Sequence, residues 1–400
     1  MACPYFGQAE QGCCFGGQGA GPRRCRFVND RTVIVAGMRN SRVQWLGAVS
    51  AWSLLLAGCG GSDGGGAAAP VGGGVAVAPA AAPSPGPTPA PSPTPAATPT
   101  PVAPPPAASP PADWAAAAAA LFTTQPDVSD CRPGVLAQSV RDDVLARMNA
   151  IRALHRLPPV IYSAADDEQA TQAALMMAAN GQLSHTPPAS WTCHSATGAT
   201  GAGTSNLYGG LISPWLTYYT EDMYLAGWLT ETSNLVANNV GHRRWMLDPF
   251  LGKIAYGRVA QVLADGSRTD AAAMKVVSFT GGVSVPANLP AFVAYPYGDY
   301  PARYFDAGAL LSFTVVADAT QRGGANATVD FAAATISVSD GATSLAVSNV
   351  SYDNAGYAVP NNLQFNVAGL KQGVSYSVKI AGVVTRGKAT DYSYTFRIVP

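Results

Sequence analysis

Apolar residues fall three or four positions apart at Val140, Val144, Met148, Ile151 and His155. That period predicts a helix over 141–156. Leu157-Pro158-Pro159 ends it, because proline disfavours helical backbone in the residue before it. Val160-Ile161-Tyr162 is long enough only for a bridging extended piece. Ser163 then reads as an N-cap, with Asp166, Asp167 and Glu168 in the first turn, where the helix dipole favours acids. This second helix runs to Asn180, and Gly181 supplies its stop. Its Ala170, Ala173, Ala174, Met177 and Ala178 are small and apolar, which implies close packing. A third helix is predicted over 220–231, carrying Glu221, Tyr224, Trp228 and Glu231. An irregular polar stretch leads from it to Gly241-His242-Arg243-Arg244-Trp245. Two extended segments follow, Lys253–Leu263 and Ala271–Phe279, with Asp265-Gly266 as a turn signal between them.

Beyond this region the period changes to two. Pro286–Pro301 is rich in Pro and Tyr and reads as a connector. After it come short alternating runs: Leu310–Val316, Ala327–Phe331, Thr335–Val338, Ser344–Val350, Leu363–Val367, Ser375–Ile380 and Asp391–Ile398. Asp340-Gly341, Asp353-Asn354 and Gln372-Gly373 separate several of them as turns. Short strands with turn signals predict a β-sandwich over 290–400. Its closing stretch, 370–378, resembles the last hairpin of fibronectin type III or immunoglobulin-like modules.

The N-terminal quarter has neither period. Met38-Arg39-Asn40-Ser41-Arg42, an apolar run from Val43 to Leu56, and Ala57-Gly58-Cys59 make a basic head, an apolar core and a small-residue cleavage site. That is the layout of a secretory signal peptide, here 38–58. Leu56-Ala57-Gly58-Cys59 resembles the lipobox of bacterial lipoproteins, which implies cleavage before Cys59 and acylation of its thiol. The expectation is an exported protein held by that lipid on a membrane of the cell envelope. Residues 1–37 precede any working signal and read as a leader from a start site assigned too early, with Met38 as the first residue. The spacing of their Cys3, Cys13, Cys14 and Cys25 fits no zinc pattern. Residues 59–113 are dominated by Gly, Ala, Pro, Ser and Thr with a few Val, carry no charge between Asp63 and Asp113, and hold half of the 32 prolines, between Pro70 and Pro111. Such a segment buries too little to offset its ordering entropy and acts as an extended tether.

Composition narrows the function. The 400 residues carry 24 Lys+Arg against 24 Asp+Glu, so no basic excess points to nucleic acid. Only 12% of residues are charged, about half the usual share. With the leader and Cys59 set aside, Cys131 and Cys193 remain. In an exported chain a remaining pair reads as a disulfide, against the alternative of two free thiols. It would close a loop of roughly 60 residues and constrain the unfolded chain by about 4 kcal/mol.

Residues 114–285 resemble the CAP superfamily, also called SCP or PR1-like, which groups cysteine-rich secretory proteins, antigen 5 and pathogenesis-related class 1 proteins. Five pieces carry the resemblance in order: Asn149-Ala150-Ile151-Arg152, Leu183-Ser184-His185, Ser205-Asn206-Leu207, Trp228-Leu229-Thr230-Glu231 and Gly241-His242-Arg243-Arg244-Trp245. The resemblance implies an α+β chain: an α-β-α sandwich, followed here by the all-β sandwich. It places His185, Glu231 and His242 in one cavity. One of the family's two usual acids falls at Ser205, so that carboxylate is absent.

Three readings follow. His185, His242, Arg243, Ser205 and Asn206 can line a cleft for a small apolar or envelope-derived ligand. Alternatively His185, His242 and Glu231 can hold a divalent metal such as zinc, as three-ligand hydrolytic sites do, for a peptide or cell-wall polymer; without metal, Glu231 can orient one imidazole as a base. In the third reading the sandwich is an adhesion module and the first domain a scaffold. His155 is expected at the surface or as a cap, and Trp228 and Trp245 in the core.

Overall fold

The computed structural model describes residues 113–232, 234, 235 and 239–400. The leader, signal peptide, Cys59 and nearly all of the tether lie outside them. Among the described residues, no helix is long and apolar enough to cross a membrane.

Helix α1 (Trp114–Ala120) starts at Asp113, whose carboxylate accepts from the Ala115 and Ala116 amides. Strands β1 (Phe122–Thr124) and β2 (Val135–Leu136) form a small antiparallel ribbon. Helix α2 (Gln138–Leu154) starts three residues before the predicted helix and stops ahead of the prolines. Its Asn149 then clamps the short extended piece: the side chain donates to Val160 O at 3.0 Å and accepts from Val160 N at 2.8 Å. That piece is β3 (Ile161–Tyr162). Ser163 does not cap the next helix. Its hydroxyl donates instead to Asp166, and a 3-10 turn (Ala164–Asp166) leads into α3 (Asp167–Asn180). Gly181 closes α3 in the left-handed conformation.

Next come α4 (Ala196–Gly203), β4 (Ser205–Ser213), α5 (Glu221–Thr230), α6 (Gly241–Met246), β5 (Lys253–Val262) and β6 (Arg268–Lys275). Strands run in the order β3-β5-β6-β4, antiparallel except for β3 beside β5. Helices cover both faces. On one, the small side chains of α3 let it lie against β5, β6, β4 and α4. The fit is close enough that a Cβ on Gly201 would sit 1.9 Å from Gln169 O, and one on Gly257 2.3 Å from Ala170 C. On the other, Val144, Met148 and Ile151 of α2 and Tyr224, Leu225 and Trp228 of α5 pack with Ile254, Tyr256 and Met274 of the sheet. This is the α-β-α sandwich the sequence predicts. Cys131 and Cys193 are joined in a disulfide 62 residues apart in sequence, as expected.

The C-terminal sandwich is also present, as a five-stranded and a four-stranded sheet. Its strands are β7 (Phe292–Tyr295), β8 (Gly298–Pro301), β9 (Leu311–Val315), β10 (Thr335–Ser339), β11 (Ser344–Leu345), β12 (Val347–Asp353), β13 (Asn362–Val367), β14 (Ser375–Thr385) and β15 (Lys388–Val399). One sheet runs β11-β10-β14-β15-β8, the other β12-β13-β9-β7. Two expectations fail here. Pro286–Pro301 is not merely a connector: β7 pairs with β9, and β8 pairs in parallel with β15. Its tyrosines are core residues, Tyr295 and Tyr300 both being fully buried. Ala327–Phe331 is not a strand either. A 3-10 turn (Gly324–Thr328) wraps the buried Asn326, which satisfies the Asp318 amide and the Asp318 and Gln321 carbonyls.

One hydrophobic core runs unbroken from the α2–α5 face of the first sandwich into the second, through Tyr295, Tyr300, Tyr304 and Phe313. His155, expected at the surface or as a cap, is the C-cap residue of α2, but it is not at the surface: it is sealed in this seam at 2% exposure. Its Nδ1 lies 2.8 Å from Ala294 O and its Nε2 3.1 Å from the Tyr300 hydroxyl. Burial, with Arg243 and Arg152 nearby, drives its pKa down to about 3. The imidazole is therefore neutral and structural, because β7 and β8 cover what the sequence alone leaves open.

Candidate functional site

A cavity of about 370 Å³ opens where the loop after α3, the start of β4 and the first turn of α6 come together. His185 and His242, 57 positions apart in the sequence, both line it. Each imidazole is held from behind. His185 follows α3, and its Nδ1 lies 2.8 Å from Ala202 O of α4. A carbonyl can only accept, so Nδ1 carries a hydrogen, and in the neutral ring Nε2 is then the acceptor. His242 is the second residue of α6, with Nδ1 2.8 Å from Glu231 Oε2. The carboxylate fixes the same tautomer there. Among the described residues, neither Nε2 has a hydrogen-bond partner.

Glu231 is not a third group in the cavity. It ends α5 at φ 60°, a left-handed conformation uncommon for a residue with a side chain. That turn sends its carboxylate under α6. Oε1 accepts from the Arg243 amide at 2.9 Å, and Oε2 from Asn234 Nδ2 at 2.9 Å as well as meeting His242. Negative charge at a helix N-terminus is favourable. The carboxylate is 5% exposed and both oxygens are engaged. The predicted ligand set of His185, His242 and Glu231 therefore does not fit a three-ligand metal. Among the described residues, no three His, Cys, Asp or Glu side chains gather to hold one.

Ser205 and Asn206, at the start of β4, both line the cavity as predicted. Asn206 Nδ2 donates to His242 O at 3.0 Å and so ties α6 to the sheet. Ser205 is 4% exposed, and its hydroxyl has no partner. Where the family pattern leads one to expect a carboxylate, there stands a buried hydroxyl without a hydrogen-bond partner.

Arg243 is a correction. Its side chain leaves the cavity for the seam and is 1% exposed. Nε donates to Leu229 O at 2.5 Å, Nη2 to Thr230 O at 3.1 Å, and Nη1 to Leu310 O at 2.6 Å. The guanidinium also lies 3.8 Å from the Tyr295 ring centre. Uncapped carbonyls at the end of α5 draw the charge inward, so it is a staple and not a ligand contact. Trp245 departs in the other direction. Trp228 is fully buried, with Nε1 donating to Leu207 O at 3.0 Å, but Trp245 is only partly buried and lines the cavity.

Sequence reasoning missed one wall altogether. Gly356 and Tyr357, from the loop between β12 and β13, close the cavity from the C-terminal sandwich. Arg244 holds that loop, with Nη1 2.8 and 3.1 Å from the Asp353 oxygens and Nη2 3.0 Å from Ala355 O and 3.3 Å from Val359 O. A contact across domains leaves no periodic trace, so the only available signal was an arginine pair beside a motif histidine.

Residues 145–261, which run from the middle of α2 through nearly all of β5, match the family model described as the cysteine-rich secretory protein family, CAP. This stretch is a CAP domain. No curated protein matches the chain. Within the CAP domain the Asn149–Arg152 pair is structural. Arg152, fully buried, donates to Pro158 O, Met246 O, Asp248 O and Leu251 O, binding α2 to the segment after α6. Burial lowers its pKa to about 10, against the opposing pull of Asp248, and leaves it charged at neutral pH. The CAP motif thus divides by role: Asn149, Arg152 and Glu231 build the frame, while His185 and His242 face the cavity.

Proposed function

We propose that this is an exported, lipid-anchored protein of the cell envelope whose CAP cavity binds a small envelope-derived ligand. The observation that supports this reading is the pairing of two distant imidazoles at one 370 Å³ opening, each with Nδ1 tied back and Nε2 left free. That is a prearranged recognition surface, and prearrangement lowers the ordering cost of binding. Cys59 and the Pro-rich tether would hold the cavity within reach of a membrane. The test is to incubate the full chain with envelope extract, wash it, and analyse retained small molecules by mass spectrometry. A near-stoichiometric ligand retained by the wild type and lost in a His185→Ala/His242→Ala variant is expected. Equal retention by both contradicts the reading. For the anchor, radiolabelled fatty acid should enter the wild type and not Cys59→Ser.

A second reading, hydrolysis of an envelope polymer, is favoured by one contact, the 2.8 Å His242–Glu231 pair. A carboxylate behind an imidazole orients it as a general base, with Nε2 taking a proton from an attacking water. Product release from wall polymer, abolished in His242→Ala and strongly reduced in Glu231→Gln, would select this reading over simple binding. The adhesion reading of the sandwich has no such contact to favour it, since the sandwich contributes a wall to the same cavity.

A further inference from the structure

The cavity lining is unusual in its chemistry. Among its fourteen residues are two histidines, three asparagines, a serine and a threonine, together with Trp245 and Tyr357, but no Asp, Glu, Lys or Arg. An anionic or cationic ligand would find no countercharge on these walls. A purely hydrocarbon ligand would cover both Nε2 acceptors without pairing them, and buried polar groups left unpaired oppose binding. The groups present are two imidazoles, side-chain amides that both donate and accept, two hydroxyl-bearing side chains, two valines and aromatic faces. That set matches an uncharged ring bearing hydroxyls on its rim and C–H groups on its faces.

The aromatic part comes from both domains. Trp245 lies on α6, and Tyr357 is brought to the start of the same helix from the sandwich. Tyr357 Cδ1 stands 3.8 Å from where a Cβ on Gly241 would be, and the Arg244 guanidinium lies 5.6 Å from the ring centre. The loop carrying Tyr357 is fixed through Arg244, whose side chain is 6% exposed. Yet Tyr357 itself is 45% exposed. A rigidly mounted ring with nearly half its surface uncovered is positioned to be covered by a ligand.

We propose that the cavity is a two-domain site for a neutral saccharide, stacked on Trp245 and Tyr357 with its hydroxyls donating to His185 and His242 Nε2. This rests on the cleft being a ligand site, and it names the class of ligand.

The experiment is calorimetric titration of the full chain with chitotetraose, cellotetraose and maltotetraose, with oleate as the apolar probe. At least one oligosaccharide should bind. Tyr357→Ala and Trp245→Ala should each weaken it about tenfold, the scale of one lost aromatic contact. Tyr357→Phe should keep the affinity, because the ring face survives. An unchanged melting temperature in Tyr357→Ala would show that the loss is not unfolding. If oleate binds and no oligosaccharide does, or if an oligosaccharide binds equally well to both alanine variants, the proposal is wrong. Retention of an envelope molecule by the wild type but not by His185→Ala/His242→Ala would then leave the cleft reading standing. No retained molecule would remove both.

Discussion

Two sides of one short helix, α6, set the cavity and the seam against each other. His242 and Trp245 line an opening to solvent. Arg243 and Arg244, between them in sequence, are buried where the CAP domain meets the C-terminal sandwich. On the seam side both guanidiniums are held, Arg243 by carbonyls of α5 and Leu310 and Arg244 through its two Nη atoms by Asp353 and two loop carbonyls, although Arg244 Nε has no partner. On the cavity side the ring nitrogens facing outward and the Ser205 hydroxyl have none. Polar groups with protein partners hold the fold, and polar groups held from behind but open in front are available to a ligand. Residue type alone does not separate the two, which is why Arg243 reads as a ligand contact in the sequence and is a staple in the fold.

The comparison can be broken most sharply at Arg243. Arg243→Ala should destabilise the protein by about 3–5 kcal/mol, since it orphans several buried carbonyls and opens a hole against Tyr295. Denaturant unfolding checks this, and a loss below 1 kcal/mol would mean the seam does not depend on it. Removing the disulfide with Cys131→Ala/Cys193→Ala should cost about 2–4 kcal/mol by freeing the unfolded chain, while leaving the cavity residues in place. Equal stability of the oxidised and reduced protein would contradict that.

A subtler contrast lies between His155 and the cavity histidines. The folded pKa of His155, about 3, lies below its ordinary value of 6.5, so the unfolded chain binds the extra proton first. Stability is therefore full above pH 6.5 and falls as the pH drops toward 3. The slope for one group is about 1.4 kcal/mol per pH unit. Unfolding measured between pH 7 and 5 should show this slope in the wild type and a flatter profile in His155→Asn. The smallest effect is expected at Ser205. Ser205→Ala removes a buried hydroxyl that has no protein partner, so stability should change by less than about 0.5 kcal/mol. A large destabilisation would show a structural role instead.

Much of the frame was legible before the fold. Helices α2, α3 and α5 follow from apolar period and end signals such as Gly181, and the disulfide from the two remaining cysteines. What was hidden has physical causes. Helix α4 reads as a loop because its Gly198 and Gly201 are demanded by the press of α3, not by a turn. Strands β7 and β8 hide in a Pro- and Tyr-rich stretch because their pairing partners lie far along the chain. His185 and His242 were found because they stand in motif pieces. Tyr357 was not, because nothing in its own neighbourhood signals that Arg244 draws its loop across to the CAP domain.

The central claim is that His185 and His242 meet a ligand together while the other histidines do not. Long-range 1H–15N NMR of the four histidines, followed through a chitotetraose titration, tests it most directly. Nδ1–H tautomers are expected for His185 and His242, with their Nε2 resonances moving together on addition, while His155 in the seam and His194, which does not line the cavity, stay fixed. Movement of neither cavity ring, or of His194 in their place, would contradict it.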